Sequence, residues 1–182
     1  VGHTPPMPSP DLRTEVLPRL GEHRERWDRL VAQQPLPSPF LRSWWVDHIG
    51  AGQLTILACF VGDELVGGAA FELDRWGPGP AAVERVRCVG QGVLAPDHLD
   101  LVAAPGHHLA VAREVLGWLR RPGARVVDLD GLAADGSLAT MLAPYEVDRV
   151  AAPFANLTCG VQDYLAGRPG KVRSTITRTT KR

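Results

Sequence analysis

Residues 53–73 constrain the fold more than any other stretch of this chain. They read QLTILACFV, then Gly62-Asp63-Glu64, then LVGGAAFEL. Two β-rich runs around a short acidic turn predict an antiparallel hairpin. DRWGPGPAA then predicts a loop. VERVRCVG alternates Val83, Arg85 and Arg87 against Glu84, Val86 and Cys88, which predicts a third strand. HLDLVAA (98–104) reads as a fourth strand, RVVDLDGL (125–132) as a fifth and EVDRVAA (146–152) as a sixth.

Helical patterns flank these runs. In LGEHRERWDRLVAQQ, Leu20, Trp27, Leu30 and Val31 fall at helical spacing. PLPSPF ends that helix, because proline interrupts the hydrogen-bond ladder. Ser38 as N-cap and Pro39 as first-turn residue open a second helix, FLRSWWVDHIG, closed by Gly50. HHLAVAREVLGWLRR offers Leu109, Val111, Ala112, Val115, Leu116 and Leu119 for one broad apolar face. SLATMLAPY is a short helix, and VQDYLAGRPGKVRSTITRTTKR starts as a helix and turns basic and β-branched. Early strands follow one another through short loops and later ones through helices. The expected class is therefore α/β (α+β), a mixed sheet with helices on its faces.

Length and charge narrow the classes further. A chain of 182 residues is one ordinary domain, or one domain and the start of another. Residues 1–18, with Pro5, Pro6, Pro8, Pro10 and Pro18, read as a disordered leader. The opening VGHTPPMPSP has neither a basic n-region nor an apolar h-region, so no secretory signal is expected. No apolar run approaches the roughly 18–20 residues of a membrane helix. Cys59, Cys88 and Cys159 are far apart and form no C-x-x-C pair, which argues against a disulfide framework or a zinc site and for the reducing cytoplasm. The net charge of zero conceals +5 on residues 163–182 and −5 on the rest. That basic tail carries one aromatic, Tyr164, so a solvated helix accounts for it better than nucleic-acid or lipid binding.

Catalytic motifs are sparse. Neither G-x-G-x-x-G nor G-x-x-x-x-G-K-[ST] occurs, and there is no G-x-S-x-G elbow. His98 and Asp100 are two apart on an expected strand and share a face. They read either as a general base with its orienting carboxylate or as a solvated loop-to-strand junction. Asp128 and Asp130 allow the same two readings. His107-His108 opens a helix after Gly106. Adjacent histidines there diverge by about 100°, which disfavours joint chelation, so no metal is expected. The N–H groups at that helix start could hold an anion. Trp44, Trp45, Trp27 and Phe40 are either an aromatic recognition surface or, at their helical spacing, core.

Several of these pieces occur in a familiar order. PSPFLRSWWVDHIG resembles the entry helix of the cellulose-biosynthesis (CelD-type) acetyltransferases, which belong to the GNAT superfamily and are relatives of the Fem aminoacyl transferases. QLTILACFVGDELVGGAAFEL is similar to their hairpin, VRCVGQGVLAPDHLDLVAAPG to their "lr.lG…DyldL…pg" segment and RVVDLDGLAADGSLATML to their "d.ldL..lp..s.l…l" segment. AAPFANLTCGVQDYLAGRPGKVRSTITRTTKR resembles their basic inter-domain junction. The match spans roughly residues 27–182. The family's phosphate loop, [RQ]-x-x-G-x-[GA] before a helix, is missing; the corresponding strand-to-helix turn is AAPGHHLA, with the single glycine Gly106.

The resemblance implies a GNAT-like, mostly antiparallel sheet of about six strands over residues 19–160. It makes 161–182 the start of a second GNAT-like domain. It implies acetyl-CoA or another acyl-CoA as cofactor, with Gly106 and His107 as the candidate contacts. The acceptor would be an amine or hydroxyl on a small molecule or polysaccharide precursor. His98, Asp100 and Tyr145 are the catalytic candidates it leaves. Asp97, Trp45, Lys171 and Arg173 are candidates for acceptor or inter-domain contact, the partner being the second domain or another copy of the chain. The alternative is a non-catalytic docking domain without cofactor, and binding of CoA separates the two.

Overall fold

The computed structural model describes residues 12–49, 52–92, 94–145, 148–151 and 160–180. The chain divides into two units, Val1–Arg149 and Val150–Arg182.

The expected hairpin forms the centre of the first unit. β2 (Gln53–Val61) and β3 (Glu64–Trp76) pair antiparallel from Gln53↔Leu73 to Val61↔Glu64. β2 is buried continuously from Thr55 to Phe60, so both of its faces need a covering layer. On its other side it pairs with β1 (Leu12–Leu17), from Leu12↔Val61 to Leu17↔Ile56. This corrects the expected disordered leader, at least over residues 12–17. Residues 1–11 of that leader lie outside the described residues. An edge strand bonds along one side only, so Pro18 beyond its end does not obstruct the ladder.

β4 (Val83–Cys88) pairs with the C-terminal half of β3, from Phe71↔Cys88 to Trp76↔Val83. β3 therefore runs on through Asp74–Trp76, where a loop was expected. The chain then leaves the sheet over residues 89–92 and 94–98. It returns to the same side of β3 as β5 (Val102–Ala103), with Gly68↔Val102 and Gly67↔Ala103. β4 and β5 are thus two pieces of one line of strand, split by an excursion, and the expected strand over 98–104 shrinks to its end. β6 (Arg125–Val127) runs parallel to β4, and an isolated parallel bridge joins Leu99 to Leu132. The order is β1-β2-β3-β4-β6, a mixed and mostly antiparallel six-stranded sheet. The sixth strand is β1 rather than 146–152. Residues 148–151 are irregular, and 146, 147 and 152 lie outside the described residues.

Helices cover both faces. α1 (Arg24–Ala32) and α2 (Ser43–Ile49) bury Trp27, Leu30, Val31 and Val46 against Ile56, Ala58 and Phe60. α3 (His108–Leu119) and α4 (Ser137–Leu142) bury Val111, Val115, Trp118 and Leu138 against Leu57, Cys59 and Phe71. Gly67 and Gly68 permit this close approach. A Cβ on Gly68 would overlap the Leu57 carbonyl and press on Trp27, and one on Gly67 would meet Val111 Cγ2 at 2.7 Å. Ser38 caps only a single turn of 3-10 helix, Pro39–Leu41. α2 itself is capped by Asp28, which accepts from Ser43 N and Ser43 Oγ at 2.8 Å each.

The second unit contains α5 (Val161–Ala166) and α6 (Gly170–Thr180). The basic, β-branched stretch stays helical. Ser174 and Thr175 donate their hydroxyls back to the Lys171 carbonyl at 2.9 Å, which settles polar groups along the helix. No described helix is long and apolar enough to cross a membrane.

Candidate functional site

The split of the strand line creates the site. β5 bonds to β3 through Val102 and Ala104, since Val102 is paired with Gly68 and Ala104 N donates to Val66 O at 2.8 Å. In an antiparallel ladder the residues between these point their backbone groups the other way. Leu101 and Ala103 therefore face away from β3. The Gln34 side chain lies on that side, donating from Nε2 to Ala103 O at 3.0 Å.

β6 does not follow β5 there. The chain beyond β6 touches the segment that leads into β5 through the Leu99–Leu132 bridge, with Leu99 N donating to Gly131 O at 2.9 Å and Ala133 N to Leu99 O at 2.8 Å. It then turns away into α4. The parting leaves a cleft of about 170 Å³ lined by Gln34, Leu36, His98, Leu101, His108 and Asp135, among others. α3 begins at its border, and its start carries no side-chain cap. Its first-turn N–H groups keep their capacity for an anionic or carbonyl partner.

Each sequence candidate has a definite place. His98 lines the cleft in a left-handed backbone conformation (φ 54°), with 38% of its side chain exposed and Nδ1 3.3 Å from Asp97 Oδ1. A non-glycine residue held at positive φ needs surroundings that dictate it. Those surroundings are the Gly131 and Ser38 contacts on either side: Ser38 Oγ donates to Asp97 O at 3.1 Å, and a Cβ on Gly131 would overlap the Pro96 carbonyl oxygen.

Asp100 also lines the cleft, but its oxygens are committed. Oδ1 accepts from Leu101 N and Leu138 N at 2.8 Å each, and Oδ2 from Ser137 N at 2.7 Å. The geometry gives Asp100 the work of capping α4 and tying it to β5. Gly106 (φ 85°) and His107 form the β5–α3 turn, where a Cβ on Gly106 would meet only open space and His107 Nδ1 is buried with no hydrogen-bond partner among the described residues.

Other candidates fall elsewhere. Tyr145 is exposed, lies beneath the Arg120 guanidinium at 5.7 Å and borders a separate apolar pocket of about 270 Å³ with Leu116, Leu119 and Leu142. Trp45 is core. It donates Nε1–H to Val89 O at 3.1 Å and meets Phe40 edge-on. Trp44, by contrast, is half exposed. Asp130 caps Gly131 N at 2.8 Å, and Asp128 lies 3.7 Å from Arg85. Lys171 and Arg173 sit on α6 in the second unit.

Burial pushes the Cys88 thiol up to about 12, so it is no nucleophile at neutral pH. Among the described residues no three His, Cys, Asp or Glu side chains converge as a metal site.

Two features escaped the sequence reading. Arg87-Cys88-Val89-Gly90-Gln91-Gly92 fits the [RQ]-x-x-G-x-[GA] spacing, but it ends a strand and no helix follows it. Its Gly90 N–H is taken by the buried Glu72 Oε1 at 2.7 Å. The second is the pair of strand-edge groups at Leu101 and Ala103, which no residue type announces.

No protein-family model matches this sequence, and no curated protein matches it. The chain aligns with solved aminoglycoside acetyltransferases from uncultured soil metagenomic samples. One, in complex with sisomicin, aligns with a TM-score of 0.42 and 10% identity over 80% of this chain and 96% of that one. Another aligns with a TM-score of 0.39 and 17% identity over 80% of this chain and 99% of that one.

Proposed function

We propose that this chain is a GNAT-like N-acyltransferase domain of the CelD type, which takes acetyl-CoA or another acyl-CoA at the cleft between β5 and residues 133–137. It acts in the cytoplasm as the first half of a two-domain transferase, completed by a second GNAT-like domain or a second copy. The acceptor is an amine or hydroxyl on a small molecule or polysaccharide precursor. The observation that carries this reading is the parting of β5 from the chain after β6 just beyond the Leu99–Leu132 bridge, beside the uncapped start of α3.

The residues present fit such a cofactor in kind. The Leu101 carbonyl and the Ala103 N–H suit the secondary amides of an extended arm, which pairs as an added strand would. The α3 start, with Gly106 and His107, suits phosphate oxygens. When bound, an acyl-CoA supplies an activated thioester carbonyl. His98, at the mouth of the cleft, takes the proton from the acceptor amine or hydroxyl as bond formation makes it acidic. Asp97 orients the imidazole through Nδ1, leaving Nε2 for the acceptor. Leu36 and Leu101 exclude water from one wall.

The test is a thermal-shift titration with acetyl-CoA to about 1 mM. A site with Kd near 10 μM stabilises by roughly 2.7 kcal/mol at a hundredfold excess, which raises Tm by about 5–10 °C for a chain of this size. A shift of that order, competed by CoA, supports the reading. No shift overturns it in favour of a docking domain without cofactor.

A further inference from the structure

We infer that Glu72 is a positioning residue, the group that fixes the 89–98 excursion and thereby sets His98 at the cleft. The inference deepens the reading of that cleft as an acyl-transfer site and rests on it. Glu72 is a charged residue buried within the sheet, with 1% exposure. A buried carboxylate persists only where partners compensate its lost hydration. Its partners lie where the strand line breaks. Oε1 accepts from Gly90 N at 2.7 Å, and Oε2 is 3.5 Å from Arg87 Nη2. The Arg87 guanidinium and the Gly90 N–H form a corner of the kind that holds an anion. The anion in it is the chain's own carboxylate.

Beyond this corner the charges alternate across the sheet. Arg87 Nε lies 3.3 Å from Asp74 Oδ2, and Arg85 binds Asp74 through two hydrogen bonds of 3.0 and 2.8 Å. Glu72 is therefore held from behind by strands β3 and β4, and it holds in turn the first residues that leave the sheet. Gln91 Oε1 then accepts from Cys88 N and Asp130 N at 3.1 Å each, which ties the excursion to the chain after β6. The far end of the excursion is His98. Glu72 fixes its near end and the Ser38 and Gly131 contacts fix its far end, and together they hold the left-handed backbone that His98 would not adopt on its own.

The experiment compares wild type with Glu72→Gln, Glu72→Leu and Glu72→Asp in the full chain. Two readouts need no ligand: amide hydrogen exchange over 89–98 against β2, and the His98 ring in long-range proton–nitrogen spectra. Glu72→Leu is expected to accelerate exchange over 89–98 at least tenfold relative to β2. It should also move the His98 ring nitrogen and proton shifts away from their wild-type positions. Glu72→Gln keeps an acceptor for Gly90 N and should restore both signals to within threefold of wild type. Should Glu72→Leu fail to fold, Glu72→Asp, which retracts the carboxylate by one methylene, should loosen the excursion in the same local way. Wild-type exchange and an unchanged His98 ring in the Leu or Asp variant would overturn the inference. So would an equal loss of protection in β2, which would make Glu72 a general stabiliser. Absence of acetyl-CoA binding would defeat the functional reading while leaving these ligand-free readouts untouched.

Discussion

Replacing Asp100 separates two roles that look alike in the sequence. Its carboxylate accepts three backbone N–H groups, from Leu101, Ser137 and Leu138, at 2.7–2.8 Å. Asp100→Ala removes all three acceptors. Loss of a helix cap costs about 1 kcal/mol. Each hydrogen bond to a charged group contributes about 1.5–3 kcal/mol, but the three share one carboxylate and water can replace part of them. The expected loss is therefore about 2–4 kcal/mol, a fall in Tm of roughly 5–15 °C. Asp100→Asn keeps one acceptor oxygen and should lose about half as much, on the same accounting. Equilibrium urea unfolding followed by tryptophan fluorescence measures both, since Trp27, Trp45 and Trp118 are buried. A loss below about 0.5 kcal/mol for Asp100→Ala would refute the capping argument. A stable Asp100→Asn variant that binds acetyl-CoA but transfers no acyl group would return Asp100 to the catalytic role.

Three further outcomes follow from the same geometry. Gly131→Ala, at φ 75° with its Cβ overlapping the Pro96 carbonyl, should destabilise by about 2–4 kcal/mol, of the order that left-handed strain plus a steric clash produces; a neutral result by urea unfolding would show that the 96–98 segment is loosely held. The Arg85 guanidinium holds the Asp74 carboxyl below its usual range, so the pair's stabilisation is present above the unfolded carboxylate pKa and is lost as pH falls through the lower folded one. Asp74→Asn should flatten that acid limb of the stability–pH curve, and an unchanged limb would assign it to other carboxylates. Tyr145→Phe should leave acetyl-CoA binding and turnover within twofold of wild type, because Tyr145 borders the Leu116 pocket and not the His98 cleft; a tenfold loss of turnover would contradict the site as drawn.

The parts of the fold legible in the sequence are those whose signal is local. The 53–73 hairpin and the 108–119 helix declare themselves by long apolar runs and helical period. β1 stays hidden because residues 12–17 lie between prolines and only their pairing with β2 makes them a strand. The strand break is equally silent. VERVRCVG and HLDLVAA read as two strands, and only their common partner β3 shows them to be one line. The site divides in the same way. His98 is visible as a histidine beside two acids, and the cleft confirms only its place there. Asp100 is committed to N–H groups 37 and 38 residues away, a contact no local pattern encodes. Glu72 reads as an ordinary strand acid until the chain folds Gly90 onto it.

The most direct test is amide chemical-shift mapping of the labelled chain on addition of acetyl-CoA. The account predicts shifts at Leu101–Ala103, at the α3 start from Gly106 to Ala110, and at 135–138, with the Leu116–Tyr145 pocket undisturbed. Shifts confined to that apolar pocket, or none at saturating ligand, would contradict it.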